Sequence, residues 1–512
     1  MSSNPIQTQK SGGIMEKTEE IGKFVKVTKK PVRDKSKKII DWEVSYSLHT
    51  HAVCSDYLIE IIRNVFAYDC NLQRWYIFDG YWRKTNPGET NNFFKEIFRV
   101  ETIVPGKEFG YQLSFFKGVV ELTEMDGKCK VPEVNKNFIN FLNGVVDINI
   151  IGDRGCLVDA TPDNSQKWQI PYDYIPTSWP NFFISWLDDI LGDPGLVRYV
   201  RALINTILKR RSDLQFFTYF YGDTGRNGKG TLVRIIQALI ADDDQVNTSM
   251  DVLSSNIYEF GRLLGVSLVH FGEEKSFNNL QPLKQITGRD RITARGKHSM
   301  NFIEGICECQ TLVVSNSYMQ LPQDDAGPIA GRIRTIHFKK QFSKNDQKNW
   351  IDAGGESRLF AEMSGIINWA LSMPDDEVTD AIMVQCQAML QANRDAEVAG
   401  NGLTAWIHEY ICYAEGAKTF IGSGKESIRN GVKRFGDDPD DDEQQKLYPH
   451  YLAYCRDERL QKPLSSRRFS DAVIATCNRL FEATDVAKSK RTKNGYQIEN
   501  IRFKSEIELV NR

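Results

Sequence analysis

The sequence predicts an α/β protein whose middle third is a parallel sheet with helices packed on it. Two observations carry this. From Leu214 onward, short apolar runs (QFFTYFYG, VSLVHFGEE, QTLVVSNS, RIRTIHF) alternate with amphipathic segments such as TLVRIIQALI. Strands that alternate with helical stretches imply parallel pairing through crossovers. Just ahead, Pro180–Arg211 reads as two helices, FFISWLDDIL and LVRYVRALINTILKRR, divided by Gly192-Asp193-Pro194-Gly195.

Residues 1–43 lack periodic apolar positions, and the first forty carry ten Lys/Arg against four Asp/Glu. They read as a basic, disordered arm that either reaches phosphates or is simply solvated. An α/β domain is expected over 44–178. There YLIEIIRNVFAY has helical spacing, and RWYIFDGYW reads as two strands about a turn at Asp79-Gly80. FLNGVVDIN with the GDRG after it repeats the strand-and-turn pattern. A helical collar occupies 179–212 and the parallel-sheet domain 213–375, closing on the helical stretch Ser357–Met373. MVQCQAMLQANRDAEV and LTAWIHEYICYA continue a helical pattern through 376–436. The run DDPDDDE marks a solvated boundary and lacks the spacing and glycine of a calcium loop. Residues 437–512 read as two helices, the second capped by Ser465 or Ser466, and a hairpin turning at Asn494-Gly495.

Composition excludes several classes. The 512 residues are 41% hydrophobic and 26% charged, with a formal charge of −2, as in ordinary globular proteins. No apolar run approaches the ~18 residues of a membrane span, and the lysine-rich start lacks a signal's apolar stretch. The ten cysteines are scattered, and Cys307 with Cys309 makes a poor zinc site. Reduced thiols in a cytoplasmic chain are expected.

The chemistry is concentrated at FYGDTGRNGKGTLVRII, Phe220–Ile236. A phosphate-binding loop needs a strand, a glycine-rich turn and a helix whose N-terminus meets the anion. Phe216–Tyr221, Gly222–Gly228 and Gly230–Ile240 supply these in order. The strict pattern G-x-x-x-x-G-K-[ST] fails at both ends, because position 223 is Asp223 and position 230 is Gly230. Asp223 is expected to point out of the cradle. Gly222, Thr224, Gly225, Arg226, Asn227, Gly228, Lys229, Gly230 and Thr231 are the candidate ATP-binding residues. Lys229 would reach the β and γ phosphates, and Thr231 or water would replace the missing hydroxyl ligand of Mg2+.

Downstream residues fit a loop that holds ATP. GVSLVHFGEE ends in two carboxylates: Glu273 is assigned to magnesium and Glu274 to the attacking water. TLVVSNS delivers Asn316, able to bond the γ-phosphate or the water. Arg332 and Arg334, two apart on GRIRTIHF, are expected to point the same way, and one of them to stabilise transition-state charge on a neighbouring subunit's ATP. LKQITGRDRITARGKHSMNF reads as a hairpin with a basic tip. Arg295, Lys297 and His298 there either grip single-stranded nucleic acid or serve solubility.

In this order FYGDTGRNGKGT, SLVHFGEE, LKQITGRDRITARGKH, TLVVSNS and GRIRTIHF resemble the motifs of superfamily 3 helicases. The nearest likeness is to the helicase half of phage and plasmid primase–helicases, related to the poxvirus primase–helicase. RWYIFDGYW, FLNGVVDI and GIINWAL resemble the flanks of that family, as does LYPHYLAYCRDERLQKPLSSRRFSDAV, so the likeness covers roughly 60–505. It implies an AAA+-like P-loop ATPase fold, a homo-hexameric ring and ATP-driven translocation on single-stranded DNA, in the cytoplasm of a bacterial host or at a mobile element's replication site. It carries over Lys229 as the phosphate lysine and Glu273/Glu274 as the acidic pair. Asn316 matches the sensor, Arg332 or Arg334 the arginine finger, and Lys297/His298 the gripping hairpin. The domain of about 140 residues ahead of the collar, 44–178, has no Asp-x-Asp pair, so a helicase without a primase is expected, with a separate primase or polymerase as a partner.

The last segment is expected to be a winged helix. Arg467 and Arg468 would open its recognition helix, with Lys488, Lys490, Arg491 and Lys493 on its wing, able to seat the ring on forked or duplex DNA. A protein-binding winged helix is the competing reading. For the whole chain the competing functions are an ATP-controlled initiator without processive unwinding and a small-molecule phosphotransferase.

Overall fold

The computed structural model describes residues 21–104, 110–133, 135–151, 156–222, 225–256, 258–272, 279–295, 302–316, 329, 331–422, 426–429, 432–435, 446–460, 463–492 and 495–510. At its centre lies a five-stranded, all-parallel sheet. Its strands are β1 (Phe217–Tyr221), β2 (Gln245–Thr248), β3 (Leu268–Phe271), β4 (Gln310–Ser315) and β5 (Ile333–His337), and they lie in the order β2-β3-β4-β1-β5. The parallel sheet expected from the alternating pattern is therefore present. Only β2 had no sequence signal: QVNT is a short edge strand paired on one side, with little apolar character to mark it.

The insertion of β4 between β1 and β3 brings two distant segments of chain to one place. Ser315 pairs opposite Tyr221, so β4 ends beside the first residue of the glycine loop. Alternation along the strands separates two cores. Phe220, Leu268, Leu312 and Ile336 face the helices Asn181–Leu191, Pro194–Leu208 and Lys229–Ala238. Phe217, Tyr219, Tyr221, Val269 and Val313 face the helix Gln281–Gly288 and its neighbours on the opposite side.

The two collar helices are where the sequence places them. Gly192 closes the first in a left-handed conformation, and Asp193 caps the second by accepting from Leu196 N. The first begins after Pro180, which offers no side-chain cap. Glu362, far along the chain, replaces it: Phe182 N donates to its Oε1 at 3.1 Å and Phe183 N to its Oε2 at 2.7 Å.

Two expectations are corrected. The arm assigned to 1–43 is a strand from Val25, because Val25–Arg33 and Ile39–Leu48 pair as a long antiparallel hairpin. Lys26, Lys29 and Lys30 on the first strand, and Asp41 and Glu43 on the second, dilute the alternation that would have announced it. Beyond the hairpin, antiparallel sheets Phe66–Asp69/Arg74–Phe78/Trp82–Lys84 and Phe138–Phe141/Gly144–Asp147/Leu157–Val158 match the expected strand-and-turn pattern.

The second correction concerns the helical segment 376–436 and the boundary at 437. The helix Gly402–Tyr410 is followed by a strand, Ile411–Phe420, which pairs with Gln497–Phe503. The last unit therefore begins near 402. Among the described residues it comprises that helix and strand, the hairpin Glu426–Arg429/Val432–Phe435, the helices Leu447–Asp457 and Ser466–Leu480, the short strand Ala487–Lys488 beside Gln497–Phe503, and the helix Glu506–Val510. Its separate core contains Trp406, Tyr451, Phe469 and Ile498. Local apolar spacing extended the helix; pairing with a strand some ninety residues later ended it.

Removing the carboxylate that caps the collar tests this architecture. Glu362→Ala leaves two backbone donors without their acceptor and is expected to cost about 1–3 kcal/mol. Urea unfolding measures it, and an unchanged midpoint would show that the cap is dispensable.

Candidate functional site

The carboxyl ends of β1 and β4 converge on one side chain. Lys229, the first residue of the helix Lys229–Ala238, is 7% exposed. Its Nζ donates to Ser315 O at 2.6 Å, Asn316 Oδ1 at 2.6 Å and Gly222 O at 3.3 Å. An ammonium has three protons and no acceptor, so these oxygens satisfy a cation that burial would otherwise expel. The same chemistry orients Asn316: its Oδ1 faces the lysine, which turns its NH2 elsewhere. An amide so placed can donate to an anion beside the ammonium.

The loop is held from behind. Asn227 Oδ1 accepts from Lys229 N at 3.3 Å, and a Cβ on Gly222 would run into the Asn227 amide. That contact explains why a glycine stands one position early: it admits Asn227, a separate need from cradling phosphate. Gly228 has φ 82°, and a Cβ there would come within 2.9 Å of Ile190 Cγ2 on the first collar helix. The segment after β5 clasps the other side. Phe342 N donates to Arg226 O at 2.9 Å, and Phe338 N to Tyr221 O at 2.8 Å. Gly228 also offers no side chain to the first-turn N–H groups of the helix. With Lys229 alongside, this end of the helix is suited to an anion.

Phosphate therefore fits the described residues. Magnesium does not fit them as expected. The Thr231 hydroxyl accepts from Arg234 NH2 at 3.1 Å, and Arg234 is paired bidentately with Glu356 at 2.7 and 2.8 Å. A guanidinium there repels a second cation. Asp223, Thr224, Glu273 and Glu274 lie outside the described residues. Gly225, within the loop, and Gly230, in the first turn of the helix, are exposed.

Arg332 and Arg334 do not point the same way. Arg332 precedes β5 and donates to Lys284 O at 3.0 Å and Thr287 Oγ1 at 3.1 Å, at the end of the helix Gln281–Gly288. Arg334 lies within β5 and turns to the opposite face. It is 4% exposed and donates through Nε to Ile382 O at 2.6 Å. Arg332 stands before the start of the strand, where strand alternation does not hold. Arg334 is too deeply buried to reach a neighbouring subunit, which leaves Arg332 as the candidate finger.

The expected basic hairpin exists as Arg291–Arg295 paired with Phe302–Ile306. Its tip, with Lys297 and His298, lies outside the described residues, as does the side chain of Arg295. In the last unit Arg467 and Arg468 are exposed in the first turn of Ser466–Leu480, and Lys490 and Arg491 are exposed on the connection between the final strands. Lys488 Nζ donates to Ser470 Oγ at 3.1 Å and lies 4.7 Å over the Tyr496 ring. That bond ties the connection to the helix that carries Arg467 one turn earlier. Lys493 lies outside the described residues.

One participant had no sequence signal. His270 on β3 meets Asn247 Oδ1 at 2.9 Å and Gln237 Nε2 at 3.5 Å, so it ties β2 and β3 to the loop helix. Burial lowers its pKa to about 4.

Residues 220–332, from the glycine loop to Arg332, match a family of unknown function (DUF5906), and residues 55–192 match a family described as D5 N terminal like. An uncharacterized mitochondrial protein, ymf20 of Marchantia polymorpha, is 27% identical over 139 residues, 25% of this chain and 80% of that protein. The backbone is similar to two apo structures of the NrS-1 C-terminal region at 12% identity, with TM-scores of 0.43 and 0.45. These cover 87% of this chain and 99% and 98% of theirs.

Two outcomes test these placements. Arg334→Ala is expected to destabilise the chain by about 2–4 kcal/mol, because it opens a buried cavity and strips Ile382 O of its donor. Arg332→Ala is expected to cost about 1 kcal/mol. Urea denaturation separates them, and equal costs would contradict the burial difference. For His270, the unfolded imidazole titrates near 6.5 and the folded one near 4. Its contribution is therefore present above 6.5 and lost as pH falls through that window. His270→Asn should flatten the fall of the urea midpoint between pH 7 and 5.

Proposed function

We propose that this chain is an ATP-dependent DNA helicase, the motor part of a phage- or plasmid-type primase–helicase. The observation that carries the reading is the Lys229 ammonium, held at the carboxyl edge of a parallel sheet between a glycine loop and Asn316. Ligands of open α/β sheets bind at that edge. The strand order, with β4 between the loop strand and the strand leading to Glu273, agrees with the AAA+-like P-loop fold that the sequence resembles. The match of residues 55–192 to the D5 N-terminal-like family supports the phage-type reading of the flank.

In this reading ATP phosphates take over Lys229 from the oxygens that now hold it. The lysine neutralises the charge that develops on the transferred phosphoryl group, and the Asn316 amide donates beside it. Arg332 would act on a neighbouring subunit's nucleotide in a homo-hexamer. Glu273 and Glu274, in the segment that follows β3 in sequence, would supply the acidic pair. The last unit, ordered helix–strand–hairpin–helix–helix–strand–strand–helix among the described residues, would be a winged helix with an added hairpin. Its Arg467, Arg468, Lys490 and Arg491 would meet DNA phosphates, while the Arg291–Ile306 hairpin contacts the single strand.

ATP turnover measured with and without single-stranded DNA tests the motor. The wild-type chain is expected to be stimulated by DNA, and Lys229→Ala to lose about a hundredfold or more of its turnover. Turnover indifferent to both would reduce the chain to an assembly module. Stimulated turnover without strand displacement on a forked duplex would indicate an ATP-controlled initiator.

A further inference from the structure

The hairpin Val25–Leu48 has no assigned role. Its base is built into the N-terminal core: Phe24 is fully buried and stacks edge-on against Phe98 at 4.9 Å, Phe24 N donates to Glu101 O, and Phe24 O accepts from His49 N. Beyond Val25 almost every residue is exposed on both faces. A two-stranded hairpin is at best marginally stable alone in water, so a face of this length implies an occupant.

The register defines the two faces, since paired residues share one. Lys26/Ser47, Thr28/Ser45, Lys30/Glu43 and Val32/Asp41 line a polar face. The other carries Val27/Tyr46, Lys29/Val44 and Pro31/Trp42. Trp42 is 51% exposed, and Val27 and Val44 are each 38% exposed. Tyr46 lies four residues from Trp42 on the same strand and face, about 13 Å along it.

Charge decides between occupants. Residues 21–50 hold eight Lys/Arg against three Asp/Glu, and Lys29 stands in the middle of the apolar face, opposite Val44. A second protein surface would have to bury that ammonium in an interface core, where lysine is disfavoured. A nucleic acid strand accepts it: bases stack on Trp42 while phosphates meet Lys29 and the lysines around the turn. We propose that this face is a stacking platform for single-stranded DNA, separate from the Arg291–Ile306 hairpin and from the last unit. The inference rests on the reading of the chain as a DNA motor, but its readout needs no ATP.

The test is fluorescence anisotropy of a labelled 20-nucleotide oligo(dT) with the full chain, without nucleotide, over a range of salt. Trp42→Ala is expected to weaken binding about tenfold and Trp42→Phe to restore most of it, with Lys29→Gln lowering the salt slope by about one. Thermal unfolding serves as the fold control, because Trp42 lies outside every buried core. Wild-type binding that none of these variants changes would overturn the platform while leaving the motor standing. Absence of wild-type binding would overturn both. A Trp42→Ala chain that binds DNA normally but sediments as a smaller assembly would show the face to be a protein interface, against the proposal.

Discussion

Everything near the candidate site depends on keeping one ammonium buried and satisfied. Lys229 is acceptable at that depth only because three oxygens from two segments of chain surround it. Two of those oxygens belong to the end of β4 and one to the end of β1. The cation therefore demands that β4 lie directly beside β1. Had β3 been the neighbour, its own end, Phe271-Gly272, would have met the lysine, and Asn316 would stand a strand away.

The loop that presents this lysine is shaped by its surroundings as much as by its own glycines. The first collar helix presses Ile190 against Gly228, and the segment after β5 bonds Arg226 and Tyr221. Lys340 in that segment pairs with Asp189 of the same collar helix. Collar, loop and clasp thus close on one another. The carboxylate of Glu362 holds the collar's other end, so the backing of the site is anchored in a helix that comes after the sheet.

Much of this was legible in the sequence because its signals are local. Gly-x-Gly turns, the Gly192–Gly195 break and four of the five central strands announce themselves within a dozen residues. Lys229 and Asn316 were assigned to one site, and they touch. What escaped depended on distant partners. The strand Ile411–Phe420 is defined by pairing with residues near 500, and β2 by its neighbour β3. Arg334 reads as an exposed cation because nothing near it in sequence reveals that Ile382 O awaits its guanidinium. Gly222 appeared displaced from a pattern, whereas its position is set by the amide of Asn227.

The contact between Gly228 and Ile190 bears on how such a chain can change over generations. Most collar positions facing solvent are free to drift one at a time. Ile190 is not, because its branched side chain fills the space that a Cβ on residue 228 would need. A smaller residue at 190 would leave a void behind the loop, yet residue 228 could not grow to fill it while its backbone stays left-handed. The two positions are thus locked together: neither can compensate for the other. Relatives that keep the glycine should also keep a side chain of this bulk on the collar, however far the rest of the helix diverges.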